Sequence, residues 1–133
     1  MEAGELAKSA VAVLESLVDV ARADDFLGYL DDDVTWVIPG SWPGISGVKD
    51  KARIERFVRR TFPAGFPTGL EVDIRAVHVH DPTVVIEFVG RASTSKDREY
   101  VNRYCFVFVF RSSRVIEIRE YMDTLYADGV LHK

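Results

Sequence analysis

The sequence has few features that would cross-link the chain, anchor it in a membrane or direct its export. Its 133 residues include one cysteine, Cys105, which cannot form a disulfide within the chain. A reducing compartment, the cytoplasm, is therefore the expected location. No apolar run approaches the length that spans a membrane, and the first residues are acidic where a secretion signal would be basic. We expect a cytoplasmic protein without membrane association.

Basic residues are not in excess either. The 17 lysines and arginines are outnumbered by 21 acidic residues, and the net charge is −4. Binding to nucleic acid needs a basic surface, so we expect no nucleic-acid partner. One helical pattern carries a cluster of arginines together with Glu55, which is more typical of a solvated helix face than of a phosphate site. The cluster consists of Arg53, Arg56, Arg59 and Arg60.

Cofactor motifs are also missing. The sequence contains no phosphate-binding loop, dinucleotide fingerprint, nucleophile elbow or zinc motif. His78 and His80 alternate on one predicted strand and could share a metal ion, but a metal site needs a third ligand. The adjacent Asp81 precedes Pro82 and is better suited to a turn. We expect no cofactor and no metal, so that any chemistry would use acid–base side chains.

The residues that are present predict helices followed by strands. Apolar residues recur at helical spacing over 5–23 and 48–62, and a short helix is expected over 24–30. The predicted strands cover residues 34–38, 70–80, 83–95, 98–111 and 114–125. This order predicts an α+β fold in a single domain, residues 1–133. Strands of this length coil, so the sheet is expected to curve around three helices and leave a cone-shaped hollow.

The last two predicted strands place ionisable groups in a long hairpin. With Ser112 and Ser113 as the turn, Glu120 is expected opposite Cys105 and diagonal to Arg103. In an apolar cavity the pKa of Glu120 would be raised, and the residue could act as a general acid or base, with Arg103 within reach. The other interpretation is a buried ion pair between the two. The residues expected on the same strand face as Glu120 are Ile116, Ile118 and Met122.

Other side chains are candidates for the same hollow. Glu87 lies on a neighbouring strand and could be a second pocket carboxylate, although such a residue more often pairs with an arginine. Asn102 and Tyr104 could orient a substrate carbonyl through neutral hydrogen-bond donors. Unless a bulge intervenes, strand alternation instead puts them on the face away from Glu120, where they would contact a second copy of the chain.

Two tryptophans bracket the loop that begins at Pro39 and Gly40. Trp36, in a strand, is predicted to be core or pocket wall, and Trp42 is predicted either as a lid over the pocket mouth or as core. With Ile118 and Met122, these residues are the expected boundary of the substrate pocket.

The motif Trp36-x-x-Pro39-Gly40, the following Gly47 and the closing segment 119–124 resemble the SnoaL-like branch of the NTF2-like superfamily. Its relatives include polyketide cyclases, ketosteroid isomerases and limonene epoxide hydrolases. The resemblance implies a conical α+β barrel with a deep apolar pocket, and a homodimer packed through the outer face of the sheet. The epoxide hydrolases carry an acidic residue on the final strand, and its counterpart here is Glu120.

Three functions stay open at this point. The first is a cofactor-free cyclase, isomerase or hydratase that acts on a small apolar molecule by proton transfer through Glu120. The second is a non-catalytic binding protein for such a molecule. The third is a dimeric interaction module whose hollow is filled by side chains.

Strands 83–95 and 98–111 are apolar on both faces, which also predicts a homodimer through the convex face of the sheet.

Overall fold

The first helix has the length and buried face that its apolar spacing predicts. The computed structural model describes residues 2–133, and helix α1 spans Ala3–Val18. The helix ends at Val18 because the side chain of Asp19 accepts a hydrogen bond from the backbone of Ala21 and starts a 3₁₀ turn, Val20–Arg22. Helix α2 follows at Ala23–Gly28. The residues that α1 buries are Leu6, Ala10, Val13, Leu14, Ser16 and Leu17.

A second helical stretch begins at Asp50, whose side chain accepts a hydrogen bond from the backbone of Arg53 at 2.9 Å. It starts as α3 (Lys51–Arg56), continues as a π-helical segment (Phe57–Thr61) and finishes as α4 (Phe62–Gly65). The prediction of a helix over residues 48–62 is therefore correct in its centre. The residues before it, which were expected to begin the helix, form a short strand.

In the described residues, six strands form one curved, mixed sheet in the order β2-β1-β6-β5-β4-β3. Strands β1 and β6 are parallel, and every other neighbouring pair is antiparallel. The predicted α+β class, with helices gathered on a mainly antiparallel sheet, is confirmed. The strands are β1 (Leu30–Ile38), β2 (Gly47–Lys49), β3 (Glu71–His80), β4 (Thr83–Ser93), β5 (Glu99–Arg111) and β6 (Arg114–Met122).

Strand β1 begins four residues earlier than predicted. The acidic run Asp31-Asp32-Asp33 lies between the helix predicted over 24–30 and the strand predicted over 34–38, and in the structure it belongs to the strand. Cations neutralise these carboxylates, since Arg111 lies 3.1 Å from Asp31 and Lys51 lies 2.8 Å from Asp32. The strand tolerates these charges because Asp32 and Asp33 are exposed to solvent and each of the three carboxylates has a cation from another element nearby.

The final strand is shorter than predicted. It ends at Met122, and helix α5 occupies Thr124–Leu131. The side chain of Asp123 accepts a hydrogen bond from the backbone of Tyr126 at 3.0 Å, which is the usual way for an aspartate to begin a helix. No helix among residues 2–133 is long and apolar enough to cross a membrane.

A bulge in β6 changes which residues share a face with Glu120. The hairpin closes as predicted, with Arg111 opposite Arg114, but Val109 then pairs with Glu117 and leaves Ile116 as an extra residue. Glu120 therefore lies opposite Phe106 and not opposite Cys105. A shift of one residue reverses the face to which every later side chain points.

The bulge is needed because both strands bury apolar side chains on the inner face. Strand β5 buries Phe106, Phe108 and Phe110 there, which are two residues apart. Strand β6 buries Val115 and Ile118, which are three apart and can share a face only if one extra residue lies between them. The expected grouping of Ile116 with Glu120 is wrong for this reason.

Candidate functional site

The helices and the concave face of the sheet enclose a cavity of about 530 Å³. A volume of this size is typical of small-molecule sites. Trp36, Trp42 and Met122 border the cavity, and most of the other bordering side chains are aliphatic or aromatic. Ile118, which was also expected there, is fully buried in the core and does not reach the cavity.

Within residues 2–133, Glu120 is the only acidic side chain that borders the cavity, and only 7% of its surface is exposed. The indole Nε1 of Trp36 donates a hydrogen bond to its Oε1 at 3.1 Å. Burial raises the pKa of Glu120 to about 7, while the nearby charge of Lys49 and the bond from Trp36 act in the opposite direction. A carboxyl group of this pKa can both take up and release a proton near neutral pH.

Lys49 is the cation that accompanies Glu120, and the sequence did not single it out. It pairs with Trp36 across strands β1 and β2, and only 7% of it is exposed. Its Nζ donates to the carbonyl oxygen of Ile45 at 3.2 Å and lies 5.2 Å from the ring centre of Phe57. Burial lowers the pKa of Lys49, whereas Glu120 raises it.

Strand β2 buries a lysine and exposes the adjacent valine, which is the reverse of what their hydropathies predict. The neighbouring Val48 is 55% exposed, although apolar residues usually occupy the buried face. No spacing rule predicts this inversion, because strand β2 has only three residues and its orientation depends on pairing with β1.

Two tyrosines that border the same cavity form a polar cluster with Asn102. The hydroxyl oxygens of Tyr100 and Tyr104 lie 2.5 Å apart, and Asn102 Nδ2 donates to the Tyr100 hydroxyl at 2.9 Å. Burial raises the pKa of Tyr100 to about 12 and that of Tyr104 well above its ordinary value. Both hydroxyls are therefore neutral at pH 7. Since one hydrogen bond joins two O–H groups, one hydroxyl hydrogen stays available to a ligand.

The bulge in β6 brings this cluster to the side of Glu120. Tyr104 pairs with Met122 and Glu120 pairs with Phe106, so Tyr104 and Glu120 are diagonal neighbours on one face. Such neighbours are typically about 7–8 Å apart. Strand alternation places Asn102 and Tyr104 on the outer face, as contacts for a second copy, only in a hairpin without a bulge. The bulge makes that interpretation wrong and leaves the alternative, neutral donors on the side of Glu120.

Gly90 provides the space for the ring of Tyr104. A Cβ atom at position 90 would lie 3.1 Å from Tyr104 Cε1, which is closer than ordinary packing allows. The ring stacks on Phe88, with centroids 4.9 Å apart and an interplanar angle of 7°. The glycine therefore helps to fix the position of the Tyr104 hydroxyl.

Arg103 and Glu87 lie outside the cavity. Arg103 faces the opposite side of β5 and is exposed, so the predicted ion pair with Glu120 is wrong for the same register reason. The Glu87 side chain is 52% exposed, and its Oε2 lies 2.7 Å from Nε2 of His78. Its predicted place in the pocket is therefore wrong, and its partner is a histidine instead of an arginine. Within residues 2–133, no three His, Cys, Asp or Glu side chains converge as a metal site would require.

Helix α5 closes one side of the cavity through Trp42. The indole Nε1 of Trp42 donates to Asp128 Oδ1 at 2.9 Å, and His132 Nδ1 lies 2.9 Å from the same oxygen. These contacts hold the pKa of Asp128 below its usual range. Trp42 is buried against this helix, so it forms a fixed part of the wall.

We expect the change Asp128→Asn to loosen α5 over the cavity. The amide retains shape but removes the charge that strengthens the bond from Trp42. Because the pKa of Asp128 is lowered in the folded state, its stabilising effect is present above the ordinary aspartate pKa and is lost as the pH falls. Hydrogen exchange should show several-fold faster exchange of the α5 amides at neutral pH. Asp73→Asn, on β3, is the control, and equal exchange in both variants would contradict the expectation.

Comparisons with known proteins agree with this architecture. The sequence profile of the SnoaL-like domain family matches residues 11–118. No curated protein matches the sequence significantly. An NTF2-like protein from Anabaena variabilis is 23% identical with a TM-score of 0.79, covering 92% of this chain and 93% of that one. Bal32a, from a soil-derived mobile gene cassette, is 20% identical with a TM-score of 0.82, covering 98% and 99%.

A third similar structure is an LEH-like epoxide hydrolase from M. tuberculosis. It is 21% identical, with a TM-score of 0.74, and the match covers 99% of this chain and 92% of that one. At these identities the likeness to solved structures establishes the fold alone.

Proposed function

Because the chain belongs to the SnoaL-like domain family, we propose that its cavity is the active site of a cofactor-independent enzyme that moves a proton on a small, mostly apolar molecule. The observation that carries the proposal is the buried carboxyl of Glu120, whose pKa is raised to about 7 beside the neutral tyrosine hydroxyls. A base and a hydrogen-bond donor on one wall are what proton transfer next to a carbonyl group requires.

Glu120 is the proton carrier in the proposed mechanism. The bond from Trp36 occupies Oε1, so the second carboxylate oxygen is the one that takes a proton from the carbon next to the substrate carbonyl. The C–H bond breaks, and its electron pair moves into a carbon–carbon double bond while the carbonyl oxygen becomes an oxyanion. Glu120 then returns the proton to another carbon of the same molecule, which completes an isomerisation or the proton transfers of a cyclisation.

The tyrosine cluster stabilises the oxyanion. The unused hydroxyl hydrogen of Tyr100 or Tyr104 donates to it, while Asn102 donates a hydrogen bond to the Tyr100 hydroxyl. Both hydroxyls donate in neutral form because burial raises their pKa values. Lys49 stabilises the ionised form of Glu120, which offsets part of the effect of burial. Donors held in place before the reaction begins are the most effective means of stabilising a developing charge.

The cavity also favours particular substrates. Its volume of about 530 Å³ and its aromatic wall fit a polyketide-, steroid- or terpenoid-like body. The similar structure of an LEH-like epoxide hydrolase shows that this fold can serve chemistry on small molecules. A hollow of this size argues against the interaction module with a filled interior. A non-catalytic binding protein is the second candidate, because the same apolar wall would serve it equally well.

The test is hydrogen exchange on β-tetralone, a bicyclic ketone with acidic α-protons. In deuterated buffer, catalytic amounts of the protein should accelerate the replacement of these protons by deuterium. Nuclear magnetic resonance measures the rate of this replacement. Binding of the ketone without accelerated exchange would contradict the enzyme and favour the binding protein. If the protein neither binds the ketone nor accelerates its exchange, both functions are contradicted for this class of ligand.

We further propose that the protein is a homodimer through the convex face of the sheet. Val89 and Val107 are buried, yet they lie outside the core that the helices cover. The neighbouring Val85, Val101 and Val109 are half-buried. Sedimentation at micromolar concentration should show a dimer, and Val107→Lys should convert it to monomer because a charge would enter an apolar contact. A wild-type protein that sediments only as monomer would contradict the dimer.

The proposed compartment is the cytoplasm. Cys105 is the only cysteine and is unpaired, so the fold gains nothing from an oxidising environment. Fractionation of the host cell that places the protein outside the cytoplasm would overturn this proposal.

A further inference from the structure

Arg60 stands at the mouth of the cavity. The side chain borders the cavity and is nevertheless exposed to solvent, and both can hold only where the cavity opens. The other exposed residues that border it are Thr61, Ala64, Ser95 and His132. The mouth therefore lies between the helical stretch 51–65, the turn after β4 and the carboxyl end of the chain. Apart from Glu120, no carboxylate among residues 2–133 borders the cavity.

The charge of Arg60 has no partner in the described part of the chain. The adjacent Arg59 lies 2.6 Å from Asp24 through Nη2 and 3.2 Å from Glu55 through Nε. Within residues 2–133, no comparable ion pair or side-chain hydrogen bond joins Arg60 to another residue. One arginine of the helix is thus held by carboxylates, while the next one faces the cavity mouth with its donors unused.

The backbone of this helix is adapted to the mouth. Arg60 belongs to the π-helical segment Phe57–Thr61, and such segments occur frequently at functional sites. Three consecutive residues, Arg60, Thr61 and Phe62, border the cavity. A regular α-helix turns by about a hundred degrees per residue, so the wider π turn helps to present all three to one opening.

From this geometry we propose that Arg60 binds an anionic group of the ligand, so that the substrate is an amphipathic organic acid. The apolar body fills the cavity, the anion remains at the mouth against Arg60, and the neutral reacting end lies at Glu120. The reverse orientation would bring the anion to the ionised carboxylate, which repels it. This inference rests on the proposed function only in sharing its cavity, because recognition of the anion does not require proton transfer.

Two dyes with nearly the same aromatic body test the inference. Anilinonaphthalene sulfonate carries an anion, and phenylnaphthylamine is its neutral counterpart. The change Arg60→Met keeps most of the length of the side chain and removes its charge. It should weaken binding of the sulfonate about tenfold and leave binding of the neutral dye unchanged, since a charged contact is lost. Arg56→Met is the matched control, because Arg56 lies on the same helix but does not border the cavity.

The outcomes separate this inference from the proposed function. An equal effect of Arg60→Met on both dyes, or an equal loss in Arg56→Met, would overturn recognition of an anion while leaving the cavity as a ligand site. If the two dyes do not compete for one site per chain, recognition of the anion by Arg60 is contradicted as well. If the protein does not accelerate exchange of β-tetralone, the proposed enzymatic function is contradicted. The effect of Arg60→Met on binding of the two dyes does not depend on that outcome.

Discussion

The variant Glu120→Gln is expected to exchange the α-protons of β-tetralone about a hundred- to ten-thousand-fold more slowly than the wild-type protein. This is the usual contribution of a positioned acid or base. Glutamine keeps the shape of the side chain and an oxygen for the bond from Trp36, but it has no oxygen that can take up a proton. Binding of the ketone should therefore be retained while exchange is lost.

The pH dependence of the wild-type rate identifies the group. The ionised carboxylate is the base, so the rate should rise with pH through about 7, the pKa to which burial raises Glu120. Glu117→Gln is the control, because Glu117 lies on the same strand, faces outward and pairs with Arg119. If Glu120→Gln and Glu117→Gln exchange at the same rate, Glu120 is not the proton carrier.

The second large effect is on stability. Glu120 has an ordinary pKa of 4.5 and a folded pKa of about 7, so the folded protein binds more protons than the unfolded chain between these values. Its contribution to the free energy of unfolding is therefore complete below the ordinary pKa and is lost as the pH rises through the folded value. A shift of this size corresponds to about 3 kcal/mol.

Urea unfolding of the wild type and of Glu120→Gln near both ends of this pH range measures the effect. As the pH rises from acid to mildly alkaline, the free energy of unfolding of the wild type should fall by about 3 kcal/mol relative to that of Glu120→Gln. Other titrating groups occur in both proteins and cancel in the comparison. A buried ion pair with a permanent cation would lower the pKa of Glu120 and reverse the slope, so a change in the opposite direction would contradict the site described above.

The fold class could be predicted from the sequence because its signals are local. The spacing of Leu6, Ala10 and Leu14 specifies the buried face of α1 without reference to any other element. Ser112 and Ser113 form the predicted hairpin turn, and both adopt positive φ angles, 51° and 67°, that a tight turn requires.

The candidate site could be predicted only in part. The alternation of the final strand predicts Glu120 in the pocket, and Trp36 is predicted as core or pocket wall because it is a large aromatic residue in a strand. Strand alternation without a bulge at Ile116 places Arg103 near Glu120 and Tyr104 on the outer face, and the bulge reverses both placements. The signal for the bulge was present in the three-residue spacing of Val115 and Ile118, which a regular strand cannot bury on one side.

By itself the sequence determined the α+β class, the helical faces, the hairpin turn and an acidic residue on the final strand, because propensity and periodicity act within a few residues. Only the tertiary structure decided the register that joins Tyr104 to Glu120, the burial of Lys49 against Trp36 and the closure of the cavity by the bond from Trp42 to Asp128. These contacts join residues far apart along the chain, and each depends on how whole elements pack. Trp42 and Asp128 are 86 positions apart, and no local pattern connects them.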